Sequence, residues 1–284
     1  MEPVGIRSAR RLCRAGPAAF PALPALAQDL PQRPIRLIVP FAAGGGTDVV
    51  AQVVAEQAGR LPAQPVAVEH RTGVGSILGM EHAAKAAPDG GTRLVATLAH
   101  AVNPALHDTL PYDLLRDFRS VAFIGEVPLV LLVDSCLPAE DLRGLVPLLR
   151  REPGRHACGS GGSGSAIHVA GELFRRMADV GLLHVLYRGA ASALQDVIAA
   201  ERGFPDFGAV GWNGLFLPAH TPPAIVARLA YEARAALHRP DVKAQVERQS
   251  GDVVGRNQRT FARFVRTEVV RWAEVVRRNG IQVE

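Results

Sequence analysis

The sequence predicts an α/β protein in two lobes, with mixed, mainly parallel sheets flanked by helices. Three observations carry this. Extended and helical signals alternate along the chain, two glycine-rich strand-to-helix turns lie far apart in it, and its 284 residues are too many for most single cores.

Residues 35–41 form an apolar run that reads as the first strand, and Val49, Val50, Val53, Val54 and Leu61 then recur at helical spacing. Residues 65–69 read as a second strand. A helical stretch over 75–87 ends at Pro88-Asp89-Gly90, a turn signature, before a third strand at 92–97. This βαβαβ order implies a largely parallel sheet with ligands at the C-terminal ends of its strands. Two extended stretches follow within 121–133, around Gly125-Glu126, and residues 138–151 are helical. After Pro153-Gly154, residues 155–158 lead into a helix over 166–178, a strand over 184–187 and a helix over 192–200. Two amphipathic helices, 223–237 and 260–279, close the chain.

The two turns are the most informative local features. Phe41-Ala42-Ala43-Gly44-Gly45-Gly46-Thr47-Asp48 joins the first strand to the first helix, and Gly159-Ser160-Gly161-Gly162-Ser163-Gly164-Ser165 opens the helix at 166. Glycine lets successive backbone N–H groups converge on one point, and the helix N-terminus adds partial positive charge. A small carboxylate caught between two such loops is the simplest occupant. Thr47 and Asp48, like Ser160, Ser163 and Ser165, also suit helix capping.

The formal charge is +5, of which Arg7, Arg10, Arg11 and Arg14 against Glu2 supply a net +3, leaving +2 for the rest. A nucleic-acid partner needs a concentrated basic stripe, so none is expected. No apolar run approaches the roughly 20 residues of a membrane-spanning helix. The first 27 residues have the order of an export signal: a basic region to Arg14, an apolar region over 15–26, and Ala25-Leu26-Ala27 as a cleavage site. A disordered Arg/Ala/Pro tail is the alternative. Beyond that segment two cysteines remain, Cys136 and Cys158, either paired in an oxidising compartment or kept as buried thiols.

Enzyme motifs are missing where they would be needed. Gly44-Gly45-Gly46 does not satisfy G-x-G-x-x-G, and Ser165-Ala166 stands where a P-loop requires Lys-Ser/Thr. Neither loop holds a G-x-S-x-G elbow. His156, Cys158 and His168 do not make a metal set.

Ordered tracts also carry a resemblance. Gln32-Arg33-Pro34-Ile35, the first glycine loop, Ala87-Pro88-Asp89-Gly90, Val102-Asn103-Pro104-Ala105-Leu106 and Leu110-Pro111-Tyr112-Asp113 are followed by His168-Val169-Ala170-Gly171-Glu172-Leu173-Phe174, Tyr187-Arg188-Gly189-Ala190 and Leu215-Phe216-Leu217-Pro218-Ala219. From about residue 30 onward the chain resembles the Bug family, the TctC-like extracytoplasmic solute receptors of tripartite tricarboxylate transporters. The resemblance implies a monomeric, periplasmic-binding-protein-like fold that closes on a carboxylated solute and passes it to membrane subunits, or presents its closed form to a sensor protein. It implies no catalysis, cofactor or metal. Mapped onto this chain, the ligand residues are Ala43, Gly44, Gly45, Gly46, Thr47 and Asp48 in lobe 1 and Ser160, Gly161, Gly162, Ser163 and Ser165 in lobe 2. His100 and Asn103, at a strand end facing the cleft or in an Asn-Pro turn, and Tyr187, beneath the distal end of the ligand or in the core, complete the set. His168 orients its own loop.

The chain departs from the family after Ala200. Where the family continues with a strand, a Pro-containing helix and a returning strand, Glu201-Arg202-Gly203-Phe204-Pro205 passes almost directly into Trp212-Asn213-Gly214-Leu215. The second lobe and the crossing between the lobes are therefore expected to be incomplete. The expected division is 1–27 as signal or tail, 28–125 as lobe 1, 126–205 as a truncated lobe 2, and 206–284 as a segment returning to lobe 1.

Overall fold

The protein was analysed as a computed structural model that describes residues 33–59, 65–134, 136–187, 189–190, 193, 202–247 and 257–281, with backbone alone over 202–210. The export segment and, apart from Ala193, the helix expected over 192–200 lie outside the described residues.

Lobe 1 is built on one five-stranded sheet. Its first three strands are β1 (Ile35–Val39), β2 (Val66–His70) and β3 (Thr92–Thr97), with α1 (Gly46–Gly59) and α2 (Ile77–Ala84) as the intervening helices. All six residues of β3 are buried, as a strand covered by helices on both faces requires. A helix that the sequence did not predict, α3 (Leu98–Leu106), follows β3 directly. The long strand β4 (Phe118–Val133) then leaves lobe 1.

Lobe 2 contributes α4 (Leu142–Arg151), β5 (His156–Ser160), α5 (Ala166–Ala178) and β6 (Leu182–Leu186). The chain returns along β7 (Arg202–Pro218) and ends in α6 (Pro223–Leu237), α7 (Pro240–Glu247) and α8 (Gln258–Asn279). Among the described residues, no helix is long and apolar enough to cross a membrane.

The strand order is β2-β1-β3-β7-β4, with a separate parallel pair β5-β6. β1 pairs in parallel with β2 and β3, whereas β7 pairs antiparallel with both β3 and β4. The large sheet thus has two parallel and two antiparallel pairings, because β4 and β7 are joined as an outgoing and a returning strand, and with the parallel β5-β6 pair the sheets are mixed as expected. Their ladder runs from Phe118↔Pro218 to Val133↔Arg202 with three register shifts. The Gly125-Glu126 break expected within 121–133 is one of these irregularities, between Phe123 and Gly125, and leaves a single strand. β7 pairs with β4 along its length as the returning strand. Among the described residues, the second lobe's own sheet has two strands.

Two apolar layers clothe the large sheet. Ile38, Leu94, Phe123, Trp212 and Phe216 pack beneath α2, α3 and α8, and Leu37, Val39, Val95, Ile124 and Leu217 pack beneath α1, α6 and α7. In the first layer Phe261 meets Phe123 and Phe216 at 5.4 and 5.2 Å between ring centroids. A third, smaller core lies in lobe 2 around Val133, Ala139, Leu145, Leu149, Phe174 and Val180.

The C-terminal helix is tied down by a buried carboxylate. Glu268 Oε2 accepts hydrogen bonds from the indole nitrogens of Trp212 and Trp272, both at 3.2 Å, and Glu268 Oε1 accepts one from Arg271. Glu268→Leu strands both indole N–H groups in the core at roughly 1–3 kcal/mol for each unsatisfied donor. We expect a loss of about 3 kcal/mol in urea unfolding, and an unchanged midpoint would refute the role of this carboxylate.

Among the described residues, Cys136 and Cys158 are not joined to each other by a disulfide. Cys136 is exposed, contrary to the buried-thiol expectation, and Cys158 is half-buried. Burial and the neighbouring Glu172 carboxylate push the Cys158 thiol pKa up, so it is a poor nucleophile.

Candidate functional site

Each glycine loop leaves the C-terminal end of a strand and starts a helix. In the first, Gly44 takes a left-handed φ of 86°. Asp48, in the first turn of α1, folds back on the loop: its Oδ2 accepts the Gly44 N–H at 2.8 Å and its Oδ1 lies 2.7 Å from His70 Nε2. Burial raises the Asp48 pKa, but the Gly44 amide and His70 outweigh it and the carboxyl lies below its usual range. Asp48 thus clasps the loop, while Ala43, Gly44 and Gly46 are exposed and Gly45 and Thr47 half-buried.

In the second loop Ser165 is the N-cap of α5, and its hydroxyl accepts the His168 N–H at 3.2 Å. Gly162 and Gly164 take φ of 121° and 71°. The Gly164 N–H donates to His168 Nδ1 at 2.9 Å, which confirms that this imidazole orients its loop. Ser160 Oγ lies 3.3 Å from the Gly162 N–H and 2.7 Å from His184 Nε2. Gly161 abuts the Ala190 backbone, and Ser163 is half-buried at the crest of the loop.

His100 and Asn103 lie on α3, not at a strand end or in an Asn-Pro turn. Thr97 caps this helix, and His100 Nδ1 completes a capping box by accepting the Thr97 N–H at 2.8 Å. Pro104 falls inside the helix, two residues before its end, where the packing of Leu98, Ala101 and Val102 outweighs the lost backbone bond. Full burial pushes the His100 pKa down to about 3, so the ring is neutral with its proton on Nε2.

Along one face of α3 and its cap, three buried polar atoms have no protein hydrogen-bond partner: His100 Nε2, Asn103 Oδ1 and His107 Nε2. Asn103 Nδ2 is spent on the Tyr112 hydroxyl at 3.1 Å. Buried groups of this kind are normally satisfied, so three together mark a place where an outside group or water is expected to bind. This face looks toward the second loop. A Cβ on Gly164 would stand 3.0 Å from Asn103 Oδ1 and 3.9 Å from His107 Nε2.

A further segment, 73–76, joins the lobes. Val74, Gly75 and Ser76 take φ of 43°, 59° and 80°, an uncommon left-handed run, and a Cβ on Gly75 would collide with the Ser163 carbonyl oxygen. The lobes are therefore shut. Arg176 of α5 also donates to the Gly280 carbonyl beyond α8 at 2.9 Å.

The second loop and the α3 face are thus brought together, and Phe41 at the start of the first loop meets His100 of α3 at 5.5 Å between ring centroids. Tyr187 packs against the second loop: its ring lies 3.2 Å from where a Gly159 Cβ would stand, and its N–H donates to the Ser160 carbonyl at 3.0 Å. Sequence reasoning missed His70, His184, His107 and the 73–76 turn. The 100/103/107 spacing is helical, but in the sequence His100 and Asn103 read only as a strand end or an Asn-Pro turn, so His107 is not joined to them. Among the described residues, no three His, Cys, Asp or Glu side chains converge as a metal site.

Two α/β lobes, each with a glycine-rich turn that opens a helix, are the architecture of the bilobal solute-binding receptors. The model of the tripartite tricarboxylate transporter family receptor, TctC, matches residues 50–203 and 198–281, and the chain belongs to that family. It is 29% identical to the protein BugT of Bordetella pertussis over 307 aligned positions, covering 93% of this chain and 94% of BugT. Among solved structures it is similar to Rpa4515 of R. palustris with adipate (TM-score 0.83, 26% identity, 89% of this chain and 99% of that one). It is also similar to MatC of Rhodopseudomonas palustris with bound malate (TM-score 0.81, 27% identity, 87% and 99%). Family and fold are those of solute-binding proteins rather than enzymes.

The comparisons also mark the departure after Ala200. The family model matches as two stretches that meet at 198–203. The BugT alignment engages 93% of 284 residues, about 264, so about 40 of its 307 positions face gaps in this chain.

Proposed function

We propose that the protein is an extracytoplasmic receptor that captures a small dicarboxylate between its two glycine loops and delivers it to the membrane subunits of a tripartite transporter. The α3 face carries this reading. His100 Nε2–H offers a donor, while Asn103 Oδ1 and His107 Nε2 add polar sites within reach of the second loop. Backbone N–H groups over Ala43–Thr47 and Ser160–Ser163, other than those of Gly44 and Gly162, which Asp48 and Ser160 hold as His168 holds that of Gly164, surround one carboxylate, and the α3 atoms read the other end or its hydroxyls through direct bonds or water. Asp48 does not touch the ligand but holds Gly44 in place for it. The adipate and malate bound by two similar proteins are both dicarboxylates, which supports the choice of ligand class. A presenting role toward a sensor protein uses the same closure and is distinguished by the partner that the closed form binds.

The test is thermal unfolding and calorimetric titration of the chain lacking residues 1–27 with succinate, malate, adipate, citrate and benzoate. A ligand at 100 times its Kd stabilises the native state by about 2.7 kcal/mol, a readily measured rise in Tm. We expect one dicarboxylate to produce that rise. A cooperative transition that no acid moves would overturn the proposal.

A further inference from the structure

The second loop is held at both ends by imidazoles, and the two imidazoles hold each other. His168, on α5, accepts the Gly164 N–H at Nδ1, at the end of the loop. His184, on β6, places Nε2 2.7 Å from Ser160 Oγ at its beginning, and that hydroxyl in turn meets the Gly162 N–H. The rings of His168 and His184 lie face to face, 4.1 Å apart and 4° from parallel. Cys158, Glu172 and Arg175 line the same small cavity beside them, with Glu172 and Arg175 paired to each other at 2.7 Å.

We propose that this stacked pair is a single clasp that presets the second loop for its ligand, with His168 and His184 acting as positioning residues that never touch the solute. The inference rests on the receptor reading of that loop. Two glycines at left-handed φ leave the loop many conformations, and each N–H that is fastened removes some of them. The clasp turns the Gly162 and Gly164 N–H groups inward, to Ser160 Oγ and His168 Nδ1, and so decides which face of the loop is left for an anion. Preset donors bind more tightly than donors that must be ordered on binding. Because the rings come from different elements, the clasp also ties the start of α5 to β6, and removing one ring loosens the other.

The experiment compares His168→Leu and His184→Leu with His168→Asn and His184→Gln. The Asn oxygen falls near the Nδ1 position, and the Gln terminus reaches the Nε2 position. Two quantities are read: the Kd of whichever acid the panel identifies, and the hydrogen-exchange rates of the Gly162 and Gly164 amides in the ligand-free protein. Each leucine variant is expected to speed exchange at its own glycine and to weaken binding, both by about tenfold, the worth of one hydrogen bond. The Asn and Gln variants should restore both to within about threefold. Leu149→Ala, in the lobe 2 core, should lower Tm and leave both readouts alone. Leucine variants with wild-type exchange, or a Leu149→Ala variant that reproduces their effect, would overturn the clasp. If a leucine variant does not fold, His168→Gln, whose acceptor lies one bond too far, takes its place with the same expectation. If the wild-type chain binds none of the acids, the receptor reading fails on its own, and the exchange rates still decide whether the clasp exists.

Discussion

Lowering the pH from 7.5 to 4.5 is expected to remove about 5 kcal/mol of folding stability, largely through two histidines. Burial pushes the His100 pKa down to about 3. Burial first, and then the facing His184, push that of His168 down to about 4. In the unfolded chain both titrate near 6.5. A base whose folded pKa is depressed stays neutral in the native state while the unfolded chain takes up a proton, so stability is full above pH 6.5 and falls as the pH drops toward the folded values. Each histidine contributes a slope of about 1.4 kcal/mol per pH unit. The depressed carboxyls of Asp48 and Asp117 act lower, because their stabilisation is lost only as the pH falls below the ordinary aspartate value of 3.8. The measurement is the urea midpoint at pH 7.5, 6.0, 5.0 and 4.5. His100→Gln should remove about half the slope, since Gln fills the third position of a capping box as His100 does and carries no proton. A midpoint constant from pH 7.5 to 5.0 would show that neither ring is buried neutral.

Gly75→Ala should nearly abolish ligand binding while leaving the ligand-free protein folded. The new methyl meets the Ser163 carbonyl oxygen only when the lobes are shut, so the substitution penalises one state of a two-state equilibrium. An alanine at a φ of 59° adds about 1 kcal/mol of strain in both states. A collision with backbone atoms costs several kcal/mol more in the closed state alone, and each 1.4 kcal/mol is a factor of ten in affinity. We therefore expect affinity to fall at least about 100-fold, with Tm lowered by only a few degrees. Solution scattering should then show the ligand-free variant more extended than the wild type. Unaltered affinity would mean that the 73–76 turn moves aside on closure.

Much of the fold was legible because its signals are local. The third strand and the helices Ala166–Ala178 and Pro223–Leu237 were predicted with their observed bounds, since a regular apolar spacing there coincides with turn or cap residues at both ends. The glycine loops were legible for the same reason. The misses are non-local. Asn103-Pro104 carries a turn signal that the burial of α3 overrides, and β7 is a strand because 16 residues of β4 lie beside it. His184 gives no sign in its own neighbourhood of the partner it finds on α5. Its role requires knowing that the end of β5 and the start of α5 face β6.

The large sheet carries two broad apolar layers, while among the described residues the second lobe has one core cluster of six buried apolar side chains beside a pair of strands. Such a division makes a heavy anvil and a light jaw. Stability is local, so the jaw opens and unfolds at a lower free energy than the anvil. A solute that bridges the two lends the jaw part of the anvil's stability. Proteases that attack transiently opened chains will then find an empty receptor sooner than a loaded one. Solute supply would govern how long each copy of this chain lasts, as well as how many copies are filled.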